Sequence, residues 1–521
     1  MLRRSLIAGF AMLLAGCNFS GSFSGSADGG KPGTGGGTQT VAIAISPTAI
    51  RLQPQASYQF NCAVTGADEK GCTWSVTEAA GGAVTAAGVY SAPAAEGVYH
   101  VVATSRADTT KTASATVTVS TVVASNSPWV TGYYAGWFWD QMYPPERVDM
   151  TAMTHFVFGR VAPGGGSLGG EAGEVVHGAG TGHDDGLSPD GTRSVEDYLI
   201  KRAHDADIKA LLMLGGDGAD GLGFLRSTTD EVRPTFVKNI VDYLVAHDYD
   251  GVDVDWENEL QGNPGMGVTA EEARRRLKAL LVEIRAEAAT RSRYQGEGQA
   301  VLVTFPGYAV SINFLEPGGK VEQWQADVAN LVDQYNLMSY GIGTAWSGGG
   351  WHSWFSGPIF GATGTTPYDL DTSINAYVAT GVPRSKIGIG IGFYGIYYGP
   401  TITGPRQSTE NNEIFEIADE PLSYANLVRK GYLSHGTLHW DDEAKSSYRV
   451  YGGDGYIPAV DPNSNPAGFL SFESERSIAA KGEWVRSTGV GGTILWTINY
   501  GYLPDSQTNP LLAAVKQSFL Q

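Results

Sequence analysis

At 521 residues the chain is longer than one ordinary domain, and two or three are expected. Its 54 acidic and 35 basic residues leave a formal charge of −19, which repels phosphate backbones and argues against a nucleic-acid partner. Seventy glycines and an aromatic share of 11% fit tight loops over a well-stocked core.

The first residues are an address rather than part of a fold. Arg3 and Arg4 form a basic start, Leu6 to Leu14 an apolar stretch too short to span a bilayer, and Leu14-Ala15-Gly16-Cys17 closes it. The tetrapeptide resembles a bacterial lipobox. That resemblance implies removal of residues 1–16 as a lipoprotein signal peptide and a lipid on the Cys17 thiol, with Asn18 in place of the aspartate associated with inner-membrane retention. Export to the cell envelope, at the outer membrane or cell surface, is the expected location. Residues 17–40, with Gly29-Gly30 and Gly35-Gly36-Gly37 among Ser and Thr, cannot bury a core and read as a flexible tether. Cys62 and Cys72 then remain, ten positions apart with Gly66 and Gly71 between them; a disulfide stapling a hairpin is expected, two free thiols being the other reading.

Residues 41–122 read as all-β. Runs at Val41 to Ile45, Tyr58 to Val64, Thr73 to Val76, Val98 to Thr104 and Ala113 to Val119 alternate with Gly, Pro, Asp and Asn clusters, as in a small sandwich. The stretch Gly88 to Pro93 and then Gly97 to Ser105 resembles bacterial immunoglobulin-like domains, which are often spacers. Trp74 and Tyr90 sit at core-like positions, so a spacer is favoured over a sugar-binding module. Residues 123–128 read as the linker.

From Trp129 onward short apolar strands alternate with amphipathic helices, the rhythm of a (β/α)8 barrel. Eight strands are predicted: Val130 to Tyr134, His155 to Phe158, Ala210 to Leu214, Gly251 to Asp255, Val301 to Phe305, Gln334 to Met338, Ile387 to Gly392 and Thr493 to Thr497. Helices are predicted at Glu196 to Ala206, Arg233 to His247 and Ala270 to Ala289, the last with Leu277, Leu280, Leu281 and Ile284 on one stripe. Residues 396–475, between strands seven and eight, are far too many for a loop and predict an inserted subdomain.

The fourth strand is chemically the most expensive. Asp250-Gly251-Val252-Asp253-Val254-Asp255-Trp256-Glu257 puts four carboxylates into a segment that otherwise reads as core. Side chains alternate along a strand, so Asp253, Asp255 and Glu257 share one wall and Val252, Val254 and Trp256 the other. Three acids so close cannot all be ionised, and Glu257, at the C-terminal end, is the natural proton donor near neutral pH.

This octapeptide resembles the D-x-x-D-x-D-x-E signature of family 18 glycoside hydrolases, the chitinases and their relatives. The resemblance implies that Glu257 is the general acid, that Asp255 positions the substrate's acetamido group, and that Asp253 and Asp250 support them from within the barrel. Lys209 to Gly216 is similar to the third-strand S-x-G-G motif, with Met213 in place of serine. Asp333 to Tyr340 is similar to the sixth-strand M-x-Y motif, Met338 and Tyr340 included, with Gly341 where aspartate normally follows. Gly491 to Trp496 is similar to the eighth strand, whose tryptophan, here Trp496, floors the sugar pocket. Asn258-Glu259 stands where an aromatic residue and proline usually follow the acid. Tyr133, Phe158 and Trp137 are candidates for sugar subsites, with core packing equally open. Trp440 to Ala444, Tyr448 to Tyr451 and Gly468 to Lys481 are similar to the family's α+β insertion, which implies a wall deepening the cleft.

The resemblance covers about three quarters of the chain. It implies a monomeric retaining hydrolase of β-1,4 bonds in chitin or other N-acetylglucosamine-containing glycans, working by substrate assistance without metal or cofactor. An endo-β-N-acetylglucosaminidase acting on N-glycans and a catalytically weak chitin-binding lectin are the alternatives. Gly390 to Gly395 spells a dinucleotide fingerprint, but no helix pattern follows it.

Overall fold

The computed structural model describes residues 40–46, 49–52, 54–119, 128–177, 188–309, 321–343, 352–366, 368–410, 414–461 and 463–521. The expected signal segment, Cys17 and all of the expected tether except residue 40 lie outside the described residues, as does the expected linker apart from Pro128.

Eight parallel strands close into a barrel: Trp129–Ala135, His155–Pro163, Lys209–Gly215, Gly251–Asp255, Leu302–Gly307, Gln334–Leu337, Ile387–Gly392 and Gly492–Trp496. Each pairs with the next in sequence, and the eighth returns to the first through Trp129↔Gly492 to Gly132↔Leu495. These strands are covered on both faces, which is why they read as near-continuous apolar runs. Leu212, Val252, Val254, Val303 and Leu337 face outward into the core shared with the helices, while Tyr133, Val157, Leu211, Met213 and Ile494 fill the interior. Polar pairs complete that interior: Thr131 donates to Gln334 at 2.7 Å and the Trp129 indole to Asn336 at 3.1 Å.

Helices cross over between strands at Val195–Asp205, Arg233–Ala246, Ala270–Ala288, Gln323–Leu331, Leu370–Ala379 and Glu475–Thr488. Side-chain caps fix several starts: the Ser194 hydroxyl accepts from the Asp197 N–H at 3.0 Å, and that of Thr269 from the Glu272 N–H at 3.2 Å. The predicted stripe Leu277, Leu280, Leu281 and Ile284 is fully buried against the barrel. Among the described residues no helix is long and apolar enough to cross a membrane.

Between strands seven and eight the insertion folds as a five-stranded antiparallel sheet, ordered Ile414–Ile417, Gly395–Pro400, Gly468–Phe472, Ser446–Tyr451, Thr437–Asp441, with the short helix Tyr424–Arg429. Tyr397, Leu422, Leu427, Tyr432, Tyr451 and Leu470 give it a core of its own.

The N-terminal unit is all-β. A four-stranded sheet runs Ala49–Leu52, Thr112–Val119, Gly97–Ser105, Cys72–Val76; Ala42–Ser46 pairs with Asn61–Thr65, and Ser57–Gln59, Val89–Ser91 and Ala83–Val84 form a third sheet. Its core contains Phe60, Tyr90, Val101, Ala103, Ala115 and Val117. Cys62 and Cys72 are bonded, but they do not staple a hairpin. Cys62 lies opposite Ile45 and Cys72 opposite Ser105, so the bond joins two different sheets. The correction follows from pairing between strands distant in sequence, which turn residues near the cysteines do not reveal. The Tyr58 ring meets Phe360 of the barrel edge-on, centroids 6.5 Å apart.

Candidate active site

The fourth strand places its carboxyls as the alternation requires. Val252 and Val254 point to the helices, and Asp253 and Asp255, both buried, point into the barrel. Asp253 lies lowest, accepting hydrogen bonds from the Tyr133 hydroxyl at 2.7 Å and from Thr304. Burial raises its pKa to about 6, although both donors favour the charged form.

Asp255 is fixed by the end of the third strand. The Gly216 N–H donates to the Asp255 carbonyl at 2.8 Å. Gly215, at φ 100°, passes so near that a Cβ there would stand 2.5 Å from the same oxygen, which is why this position has no side chain. Burial, then the charges of Glu257 and Asp253, push the Asp255 carboxyl well above its usual range, with Arg160 opposing them. Its Oδ1 is buried without a hydrogen-bond partner.

Glu257 follows just beyond the strand and is half-buried. Burial and the neighbouring charge of Asp217 raise it to about 7, against a lowering hydrogen bond with Asp255. The two carboxyls therefore hold a proton between them near neutral pH. Asp217 also accepts from the Asn258 amide at 2.7 Å, and Asn258 in turn accepts the Trp256 indole N–H at 2.7 Å.

Trp496 ends the eighth strand, half-buried, with the rings of Tyr133 and Trp137 at 5.7 and 6.3 Å. Trp137 is half-buried too. Burial, then Tyr394 and the charges of Glu257 and Asp255, hold the Tyr340 phenol well above its ordinary pKa, so it is a hydrogen-bond donor at neutral pH. Met338 is half-buried beside it, its N–H bonded to the Gly307 carbonyl at 2.7 Å.

Of the candidate site residues, Asp250 and Phe158 stand outside the barrel interior and Tyr133 is committed to the acid wall. Asp250 is not within the barrel. It shares the outward parity of Val252 and sits before the strand's N-terminal end, where His204, Lys209, Arg293 and the Ala210 N–H all bond it. Phe158 is fully buried in the outer core, stacked on Tyr134 at 6.1 Å, because inward-facing Val157 puts Phe158 on the opposite face. Tyr133 is only 3% exposed and its hydroxyl is committed to Asp253, so it braces the acid wall and offers no sugar platform.

The structure adds residues that sequence reasoning missed. Arg160, held by buried Asp220 and by the Gly215 carbonyl at 3.1 Å, brings positive charge near Asp255. Tyr308, immediately after the fifth strand, donates to the Glu257 carbonyl. Its place at the C-terminal end of a barrel strand, like that of Tyr340, is the signal that would have found it. Arg160 and Asp217 have no local signature.

A closed parallel barrel with a cluster of buried acids at the C-terminal end of its fourth strand is the architecture of a barrel enzyme. Residues 130–501 match the model of Glycosyl hydrolases family 18, and the chain belongs to that family. Chitinase 1 of Aphanocladium album is 24% identical over 307 residues, 57% of this chain and 63% of that protein. Chitinase A1 of Niallia circulans is 23% identical over 309 residues, 56% and 40% respectively. The chain thus matches less than two thirds of the length of either relative. Among solved structures, a class V chitinase from tobacco superposes with a TM-score of 0.55 at 18% identity, covering 75% of this chain and 99% of that one. Chitinase ChiA74 of Bacillus thuringiensis gives 0.57 at 18% identity, covering 76% and 70%. At these identities the structural likeness is one of fold.

Proposed function

We propose that the protein is a retaining glycoside hydrolase cutting β-1,4 bonds between N-acetylglucosamine units of chitin or its oligomers, with the substrate's own acetamido oxygen as nucleophile. One observation carries the mechanism: Asp255 presents a buried carboxyl oxygen with no hydrogen-bond partner, beside Glu257, whose pKa burial and Asp217 raise to about 7. A protein nucleophile would need a second carboxylate across the cleft, about 5 Å from the acid. Among the described residues the carboxyls that bear most on Glu257 are Asp217, Asp255 and Asp253, on the fourth strand and the adjoining end of the third.

In this mechanism Glu257 protonates the glycosidic oxygen as its bond to the anomeric carbon breaks. The acetamide oxygen bonds to that carbon from the opposite face, giving an oxazolinium ion. Asp255 accepts the acetamide N–H through its free oxygen and stabilises the positive charge, while Tyr340 donates to the acetamide oxygen and Trp496 lies under the ring. Glu257, now ionised, takes a proton from the water that opens the intermediate, and the anomeric configuration is retained.

Incubation with chitin oligomers and with a high-mannose glycoprotein, read by product mass, tests the substrate. Cleavage of the oligomers, a β-anomeric first product and inhibition by a thiazoline analogue of N-acetylglucosamine are expected. An α-anomeric first product, or efficient cutting of fully deacetylated chitosan, would sink the mechanism.

We infer further that the chain is exported and lipid-anchored at Cys17, and that the N-terminal unit is an immunoglobulin-like spacer. The lipobox-like Leu14 to Cys17 supports the first, together with a disulfide that fits an oxidising compartment. Fully buried Tyr90 and part-buried Trp74, which leave no aromatic platform there, support the second. Cys17→Ser should move the protein from the detergent to the aqueous phase; a wild-type protein already aqueous when made in a diderm host would end the anchoring idea.

A further inference from the structure

Arg160 sits where the second strand breaks step with the third. Gly159 pairs with Met213 and Val161 with Leu214, so Arg160 is an extra residue in the ladder, and a bulge of this kind re-aims a side chain. Its guanidinium is clamped from three sides: Nη1 donates to the Gly215 carbonyl at 3.1 Å and to the Asp220 carboxylate, and Nη2 to the Ser167 hydroxyl at 3.0 Å. Asp220 is fully buried and itself fixed, accepting from the Ser167 N–H at 2.9 Å and the Ser167 hydroxyl at 2.5 Å. Holding so long a side chain in one rotamer costs conformational entropy.

What the clamp fixes is the place of the guanidinium beside Asp255. A Cβ on Gly216, at φ 133°, would stand 3.3 Å from Arg160 Nη1 and 3.8 Å from Asp255 Oδ2, so both groups border the space that a side chain there would fill. Oδ2 thus lies on the Arg160 side, while Oδ1 is the oxygen left without a hydrogen-bond partner. Around Asp255 stand Asp253 and Glu257 of its own segment, Asp220 beyond the third strand, and the phenols of Tyr133, Tyr308 and Tyr340 from the first, fifth and sixth; Asp217 acts on Glu257 from behind. Arg160 is the cation among them.

We propose that Arg160 is a positioning residue acting through Asp255: it draws the negative charge of the carboxyl pair onto Asp255, so that the shared proton rests on Glu257 when the glycosidic oxygen arrives. The inference rests on the reading that this cleft cuts N-acetylglucosamine oligomers. It adds to the acid wall a cation supplied by the second strand.

Profiles of kcat/KM against pH with chitotetraose, for the wild type, Arg160→Gln and Arg160→Lys, test it. Without the cation the ionised form of Asp255 is less favoured and protonation sets in at higher pH, so in Arg160→Gln the acid limb should move up by roughly one unit. Below that limb the shift reads as about a tenfold loss of rate, recovered as pH rises above it, and KM at the optimum should change little. Arg160→Lys keeps the charge and should keep the limb near its wild-type place. A residue that only braced the strand would lower the rate alike at every pH and would not be rescued by charge. An acid limb unmoved in Arg160→Gln, or moved as far in Arg160→Lys, would overturn the proposal and leave Glu257 as the acid. Should Arg160→Gln not fold, Arg160→Lys decides alone, a wild-type limb supporting the proposal and a displaced one overturning it. A wild type that leaves chitotetraose uncut would sink the functional reading, and this inference with it.

Discussion

Burial and Asp217 together raise the Glu257 pKa, and the two causes are separable by mutation. Asp217→Asn removes a negative neighbour, so the Glu257 pKa should fall and the alkaline limb of the kcat/KM profile should move to lower pH; an unmoved limb would show that burial alone sets it. Glu257→Gln should cost about 10²- to 10⁴-fold in kcat while leaving oligomer binding in place. The same substitution bears on stability. A carboxyl raised from 4.5 to about 7 contributes stability that is complete below its unfolded value and lost as pH rises through its folded one. Glu257→Gln should therefore melt above wild type at about pH 8, with the gap narrowing toward about pH 4; equal melting temperatures at the higher pH would contradict the shift.

Strand parity made Asp253, Asp255 and Glu257 legible as one wall. Applied in the same way it places Asp250 and Phe158 outside the barrel, where the structure has them. Tyr308 and Asp217 were not legible because they stand just beyond strand ends, and Arg160 because it lies on the part of the second strand past Phe158; only barrel closure brings them to the acids.

Among the elements, the strands were the most legible, since burial on both faces leaves an apolar run with no competing helical period. The second strand extends beyond Phe158 to Pro163, and that extension carries Arg160. Gly215 shows how one element positions another. Gly215→Ala would press a Cβ against the Asp255 carbonyl and the Phe224 ring at an unfavourable φ, so a stability loss of more than about 1 kcal/mol and a fall in kcat are expected together. Denaturant melts and single-turnover rates would check it, and a stable, fully active variant would refute it. The insertion was legible as a folded unit but not in how it joins the barrel. Ile396, Tyr398 and Phe469 from its sheet belong to the main core, so it is part of the scaffold as well as a wall.

At the scale of the whole molecule, the N-terminal unit touches the barrel through Tyr58, whose ring meets Phe360, itself edge-on to Trp484 in the last long helix. Tyr58→Ala should loosen this contact. Faster proteolytic separation of the two units, with unchanged turnover of short oligomers, is the expected result; an unchanged proteolysis rate would mean that other contacts suffice.

The disulfide between two sheets has a mechanical consequence. A pull on the chain from its N-terminal side enters the unit at Ala42–Ser46 and leaves it at Thr112–Val119. On that path the ten-residue span from Cys62 to Cys72 is short-circuited by a bond that holds its Cα atoms 6.6 Å apart. Tension can unzip strands on either side, but the clasp withholds about 30 Å of contour, at roughly 3.4 Å per residue. With the bond intact, the unit lengthens less under load than its residue count alone would allow.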